Sequence, residues 1–394
     1  MKAVVRWAIV SLFLCIPPAS ADTAGEERLA TALELFNSAA FWSDSNTPNA
    51  ADEKAIAAVV RWVKPIRAFV GPSATSNLRT IAQDRLREVA SIAGIPVEFV
   101  DSPDASNFRF VFLQEYQVVA NLPSAGCVTQ FNAPGFELAD VTVNVRINQP
   151  SCMLHEMMHA FGFGGHPHQL KTVLSYSYMS GAANELTEAD RLILKALYSP
   201  KIVPGLFHLP ALIEVRQFLA ETLGLVPAGG SAAALARPVL DKAVARLRKA
   251  GERGDQLVQY QLGIAYLLGH HVVPDPKESI AWLELAAAQK MPAALYIAGL
   301  VYLKGEGVPV DAARGDARLR AASELGHPQA AMTLGQLRES EGNRVEAYAY
   351  FDLAERRGAN GAGKRRDGLS EAMTPDERAK AVQRARELPT APAG

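Results

Sequence analysis

Cysteine is scarce in this chain: Cys15, Cys127 and Cys152 are the only three in 394 residues. That excludes a small disulfide-stapled scaffold and a four-cysteine structural zinc site. Neither sign of charge prevails, since 40 Lys and Arg face 41 Asp and Glu for a formal net charge of -1. Aromatic residues make up only 7% of the chain, and they do not interleave with a basic stripe. Nucleic acid is therefore not expected as a partner. Long apolar runs are also missing beyond the start, so no later segment reads as membrane-spanning. The charged fraction of 21% and hydrophobic fraction of 49% fit well-packed globular domains, and the length suits two or three of them.

The first 21 residues read as a secretory signal peptide. Lys2 and Arg6 give the basic start, residues 7–16 the apolar run, and Ala19-Ser20-Ala21 the small residues of a cleavage site. The run is too short to span a bilayer comfortably. The expected location is the periplasm or the outside of the cell, with no stable membrane insertion after cleavage. Loss of Lys2 and Arg6 takes the formal charge from -1 to -3, and Cys15 goes with them. Cys127 and Cys152 remain, and in an oxidising compartment they are expected to pair. Such a bridge ties the loop at Cys127 to the segment that precedes residue 155.

Residues 22–200 mix helix and strand. Helices are expected at 26–40 and 78–93, and strands at 62–70, 97–100, 108–113 and 140–148. Pro65 places the first of these strands near an edge or irregularity. A helix comes after Pro150, and it carries His155-Glu156-Met157-Met158-His159. Residues four apart share a helix face, so His155 and His159 can present two imidazoles to one metal ion. Glu156 lies beside them, where a carboxylate can polarise a metal-bound water.

A catalytic zinc site needs a third protein ligand and an open position. Gly162 tolerates the left-handed backbone that ends a helix, and Gly164 with Gly165 lets the chain turn so that His166 comes back toward the metal. His168 is a second candidate, beyond the restraint of Pro167. Glu185 and Glu188 are weaker ones. Thr187 and Asp190 read as a helix cap, with Glu188 in the first turn where a carboxylate is favoured anyway. Tyr176 and Tyr178 could donate a hydrogen bond to an oxyanion, or simply pack.

The stretch resembles the metzincin peptidases, whose pattern is HExxHxxGxxH and then a methionine turn. His155, Glu156, His159 and Gly162 match that pattern. Met179 matches the turn, and the helix at 186–198 matches the family's helix behind it. Position 165 is glycine, however, and the histidine stands one place later at His166. The arrangement also resembles a group of secreted bacterial domains of unknown function. The resemblance implies a zincin-like α/β domain with a mixed sheet and a metal-binding helix. In such a domain Zn2+ is held by His155, His159 and His166, a sheet edge borders the cleft, and Glu156 assists attack of zinc-bound water on a peptide bond. Which strand forms that edge is left open by the residues.

Residues 241–359 repeat. Gly263, Gly299 and Gly335 recur at a period of 36, and Asp275 with Asp311 and Ala286 with Ala322 keep the same spacing. Each unit reads as two short helices, so the stack is an all-α solenoid. Its signature resembles Sel-one-like repeats of the tetratricopeptide superfamily, which implies a protein-binding scaffold. Residues 201–240 are expected to be a linker or bridging helices, and 360–394 a tail that is loose at its end. The leading expectation is a zinc-dependent endopeptidase of the bacterial cell envelope, acting on polypeptide and holding a protein partner on its repeats. Two alternatives stand beside it: hydrolysis of peptidoglycan stem peptides, and a non-catalytic envelope adaptor with a degenerate metal domain.

Overall fold

The computed structural model describes residues 22–43, 54–56, 58–114, 127–147, 150–167, 170–175 and 185–389. The expected signal peptide, His168, Tyr176, Tyr178 and Met179 lie outside the described residues. A five-stranded mixed sheet organises the amino-terminal part. In chain order its strands are β3 (Ile66–Val70), β4 (Val97–Phe99), β5 (Phe108–Leu113), β6 (Cys127–Asn132) and β7 (Asp140–Arg146), while β1 (Trp42–Ser43) and β2 (Lys54–Ala55) pair separately. The spatial order is β4-β3-β5-β7-β6, with β6 antiparallel to β7 and the other neighbours parallel.

Alternation along the strands decides which face is buried. Ile66, Ala68 and Val70, then Phe108, Phe110 and Phe112, then Val141, Val143 and Val145 all point to one buried face. The registers align them in rows across the sheet, Ala68 with Phe108 and Val141, and Val70 with Phe110 and Val143. On the opposite face stand Arg67, Arg109 and Thr142. Helix α2 (Ser76–Ala93) and the motif helix α3 (Met153–Ala160) pack against each other and against the sheet. Helices α1 (Thr23–Phe41) and α4 (Glu188–Leu197) complete that layer.

Most expected elements are present, with two differences. The strand expected at 62–70 begins only at Ile66, after Pro65, and lies inside the sheet rather than at its edge. Proline has no N–H to give the ladder, so the strand starts past it. The edges are β4 and β6, and β6, the one that meets the motif helix, is a strand that the residue pattern does not reveal. The segment 201–240 contributes α5 (His208–Thr222), which packs on α1, and the start of α6 (Arg237–Glu252).

The carboxyl-terminal part is a solenoid of helix pairs: α7 (Gln256–Leu268) with α8 (Pro276–Ala288), α9 (Pro292–Lys304) with α10 (Ala312–Glu324), and α11 (Pro328–Ser340) with α12 (Arg344–Arg356). The repeating glycines sit where the two helices of a pair cross. A Cβ on Gly263 or Gly335 would lie 2.6 Å from Leu283 or Phe351, and one on Gly299 would lie 2.9 Å from Leu319. The repeating aspartates are helix N-caps: Asp275 accepts from the N–H groups of Lys277 and Glu278, and Asp311 from that of Arg314. The tail is helical over most of its described length, as α13 (Ala362–Glu371) and α14 (Pro375–Glu387) pack back on α12, and its end at 390–394 lies outside the described residues.

The two parts share a hydrophobic core. One contiguous cluster runs from Leu29 and Phe36 of α1 through the sheet to Leu240 and Leu247 of α6, Leu262 of α7 and Trp282 of α8. Arg246 lies 4.0 Å over the Trp42 ring, and Phe207 meets Tyr260 edge-on at 6.0 Å.

Candidate metal centre

Helix α3 is short and nearly all buried. Met153, Leu154, Met157, Met158 and Ala160 are in the core, which fixes the rotation of the helix and hence the direction of His155 and His159. The Trp62 indole donates to the Ala160 carbonyl at 2.9 Å, and the Tyr198 hydroxyl donates to that of Phe161 at 3.1 Å. These two bonds satisfy carbonyls that the end of a helix leaves unpaired. Burial raises the Tyr198 phenol further above its ordinary range, so it stays a donor.

The chain turns away from the helix at Gly162, two residues past its end, where φ is 109° and a Cβ would stand 2.0 Å from the Val60 carbonyl oxygen. Only glycine fits there. Three residues on, Gly165 lies against the end of α1. Its N–H donates to Ala39 at 2.8 Å, and a Cβ would be 2.1 Å from the Trp42 oxygen and 2.3 Å from that of Ser38. Residue 165 therefore has no room for a side chain, and the next residue, His166, turns toward the helix.

The three Nε2 atoms converge. His155 to His159 is 2.9 Å, His159 to His166 is 3.0 Å, and His166 to His155 is 3.2 Å. His155 Nδ1 lies 2.8 Å from the Val173 carbonyl, and His159 Nδ1 contacts that of Phe163. A carbonyl only accepts, so both Nδ1 atoms carry the proton and both Nε2 atoms present lone pairs in the neutral rings. Burial, with the neighbouring His159, pushes His155 down to about 4, and burial lowers His159 as well. Two lone pairs facing each other at 2.9 Å repel unless a cation lies between them. A tetrahedral ion with bonds of about 2.0–2.1 Å to imidazole separates its nitrogens by about 3.3 Å. The donor set fits zinc. Among the described residues, these three histidines are the one such cluster of potential metal ligands.

Glu156 is buried beside them. Its Oε2 accepts from the Thr129 hydroxyl at 2.8 Å, and the same hydroxyl lies 2.9 Å from the Glu156 main-chain oxygen. Burial pushes its carboxyl up from the ordinary range, against the opposing pull of His155 and Thr129. Thr129 is on β6, so the edge strand touches the motif helix directly. Cys127 and Cys152 form a disulfide with a Cα–Cα distance of 6.1 Å, which pins the start of β6 to the entry of α3.

Asp190 has a larger part than a helix cap. It makes the capping box with Thr187. It also accepts from the Thr172 hydroxyl and, at 3.3 Å, from the Val173 N–H. Val173 is the residue whose carbonyl orients His155. A fully buried carboxylate thus reaches a histidine ring through the main chain of one residue, Val173. The only hint of this in the sequence is the capping pattern itself. Glu185 and Glu188 are exposed, and Glu188 pairs with Arg28, so neither is brought to the histidines.

Comparison with known proteins matches these two parts separately. Residues 31–209 match a family model described as a protein of unknown function, DUF2927. Residues 257–291 and 292–317 match that of the Sel1 repeat. The chain carries Sel1 repeats behind a DUF2927 domain. A Sel1 repeat protein from Oxalobacter formigenes is 29% identical over 32% of this chain and 97% of its own, with a TM-score of 0.29. A protective antigen present in uropathogenic Escherichia coli strains, displaying an SLR fold, is 22% identical over 61% of this chain and 52% of its own, with a TM-score of 0.34. No curated protein matches the chain. The Sel1 repeats point to protein–protein interaction.

Proposed function

We propose that the DUF2927 domain is a zincin-like, zinc-dependent endopeptidase of the bacterial cell envelope, and that the Sel1 repeats hold a protein partner or the substrate. The observation that carries this reading is the triangle of three Nε2 atoms no more than 3.2 Å apart, set beside a buried carboxylate. His155, His159 and His166 would hold zinc, which when bound polarises water and a peptide carbonyl. Glu156 takes the proton of the attacking water and passes it to the leaving nitrogen. Thr129 holds one carboxylate oxygen of Glu156 and leaves the other for that transfer. Among the described residues, no strand lies beyond β6 in the sheet, and β6 touches Glu156. An extended peptide can add to such an edge through main-chain hydrogen bonds, which favours a polypeptide substrate.

The test joins metal content to activity. Mature protein is expected to bind one zinc and to cut an unfolded polypeptide, and Glu156→Gln is expected to keep the zinc and lose at least roughly a hundredfold in rate. Cleavage of purified stem peptides but not of polypeptide would move the substrate to the cell wall. Protein that takes up no zinc would leave a non-catalytic adaptor instead.

A further inference from the structure

The geometry points to Phe131 as a specificity-determining residue, selecting an apolar side chain of the substrate beside the metal centre; this rests on the peptidase reading. Phe131 belongs to edge strand β6, where its side chain is 50% exposed. Side chains two apart on a strand share a face, so Phe131 lies on the face of Cys127 and Thr129. Cys127 is bonded to Cys152 at the start of α3, and Thr129 to Glu156 one turn later. The strand and the helix therefore run in the same sense. Two more strand residues advance about 7 Å, which equals four to five helical residues at about 1.5 Å each. That carries Phe131 to the level of Ala160 and Phe161, the end of α3 that carries His159.

A second path gives the same level. Phe131 pairs with Val141, and Val141 with Phe108. The Phe108 ring lies 6.3 Å from that of Trp62, whose indole is bonded to the Ala160 carbonyl. The row that ends in Phe131 thus meets the end of α3 that carries His159.

The composition of β6 fits a receiving edge. Protein edges are commonly blunted by charge or proline, yet Cys127–Asn132 has neither. Its exposed residues on the opposite face and at the end, Gln130 and Asn132, are neutral. A peptide strand added to β6 would lay alternate side chains on the face of Thr129 and Phe131. One of them would cover the ring, and an apolar one would gain most from it.

The test uses zinc-loaded mature Glu156→Gln protein and two fluorescent dodecapeptides of threonine and glutamine, one with a central leucine and one with serine in its place. The leucine peptide is expected to bind about tenfold tighter. Adding Phe131→Ser should bring the two peptides within about twofold, while Phe131→Leu should keep the preference. A preference that survives Phe131→Ser, or no binding of either peptide, overturns the inference. So does a concentration-dependent dimer abolished by Phe131→Ser, which would make the ring a contact between copies. Cleavage of the leucine peptide by the Glu156-bearing chain is read separately. Binding with the expected preference but without cleavage overturns the hydrolase reading and upholds Phe131.

Discussion

A glycine decides where the third histidine can stand. Gly165 is pressed so closely on the carbonyls of Ser38 and Trp42 that a side chain there has no space, and the candidate third ligand is His166. His166→Ala is therefore expected to take zinc well below one equivalent, while His168→Ala leaves it near one; equal losses in a zinc titration would refute the assignment. A different histidine is expected to contribute to acid sensitivity. His208 is buried, stacks on Phe41 with ring centroids 4.3 Å apart, and donates from Nε2 to Asn37. Burial pushes it down to about 3 from an ordinary value of 6.5. The folded chain keeps it neutral while the unfolded chain protonates it below 6.5. The stability it supports is thus complete above that pH and falls as pH drops toward 3, by up to roughly 1.4 kcal/mol per unit. His208→Gln is expected to flatten the urea midpoint between about pH 6.5 and 4 relative to the parent chain. An unchanged slope would mean that other groups carry the acid sensitivity.

At the level of elements, the candidate metal site is held by strands and turns more than by its own helix. Asp190, at the start of α4, accepts from Thr172, Val173 and Thr187, and through Val173 it fixes the tautomer of His155. Asp190→Ala strands several buried donors at about 1–3 kcal/mol each. It is expected to lower zinc affinity about 10–100-fold, measured by competition with a chelator, whereas Glu188→Ala is expected to change neither affinity nor stability. The motif helix, the buried strands and the repeat period are legible in the sequence because each has a regular signature. Val141, Val143 and Val145 alternate, and Gly263, Gly299 and Gly335 return every 36 residues. Strand β6 is not legible. Its six residues mix Cys, Val, Thr, Gln, Phe and Asn, and half of them are exposed, so no hydrophobic period marks them. Asp190 reads only as a cap because its contacts to residues 172 and 173 close 17 to 18 positions away, beyond any local pattern. The helices at 362–371 and 375–387 escape notice because few of their residues are apolar and their stability comes from packing on α12.

On the scale of the whole molecule, the boundary drawn in the sequence between a metal domain and a repeat domain is not a boundary in the core. Leu240, Leu247, Leu262 and Trp282 belong to the same cluster as Leu29, Phe36 and the sheet. Calorimetry is expected to show the metal domain and the first helix pair melting in one transition, and added zinc should raise that transition. Two transitions, with zinc acting on one alone and truncation after residue 230 leaving it intact, would contradict the shared core. The far end of the solenoid has no such tie, since its cluster from Ile280 to Leu388 holds no residue of the metal domain. A stacked array changes length by gaining or losing whole units, and each unit needs only its neighbours. With its first helix pair merged into the core of the DUF2927 domain, this array is expected to gain or lose units at its carboxyl-terminal end, so partner choice can diversify there while the end that joins the three histidines stays as it is.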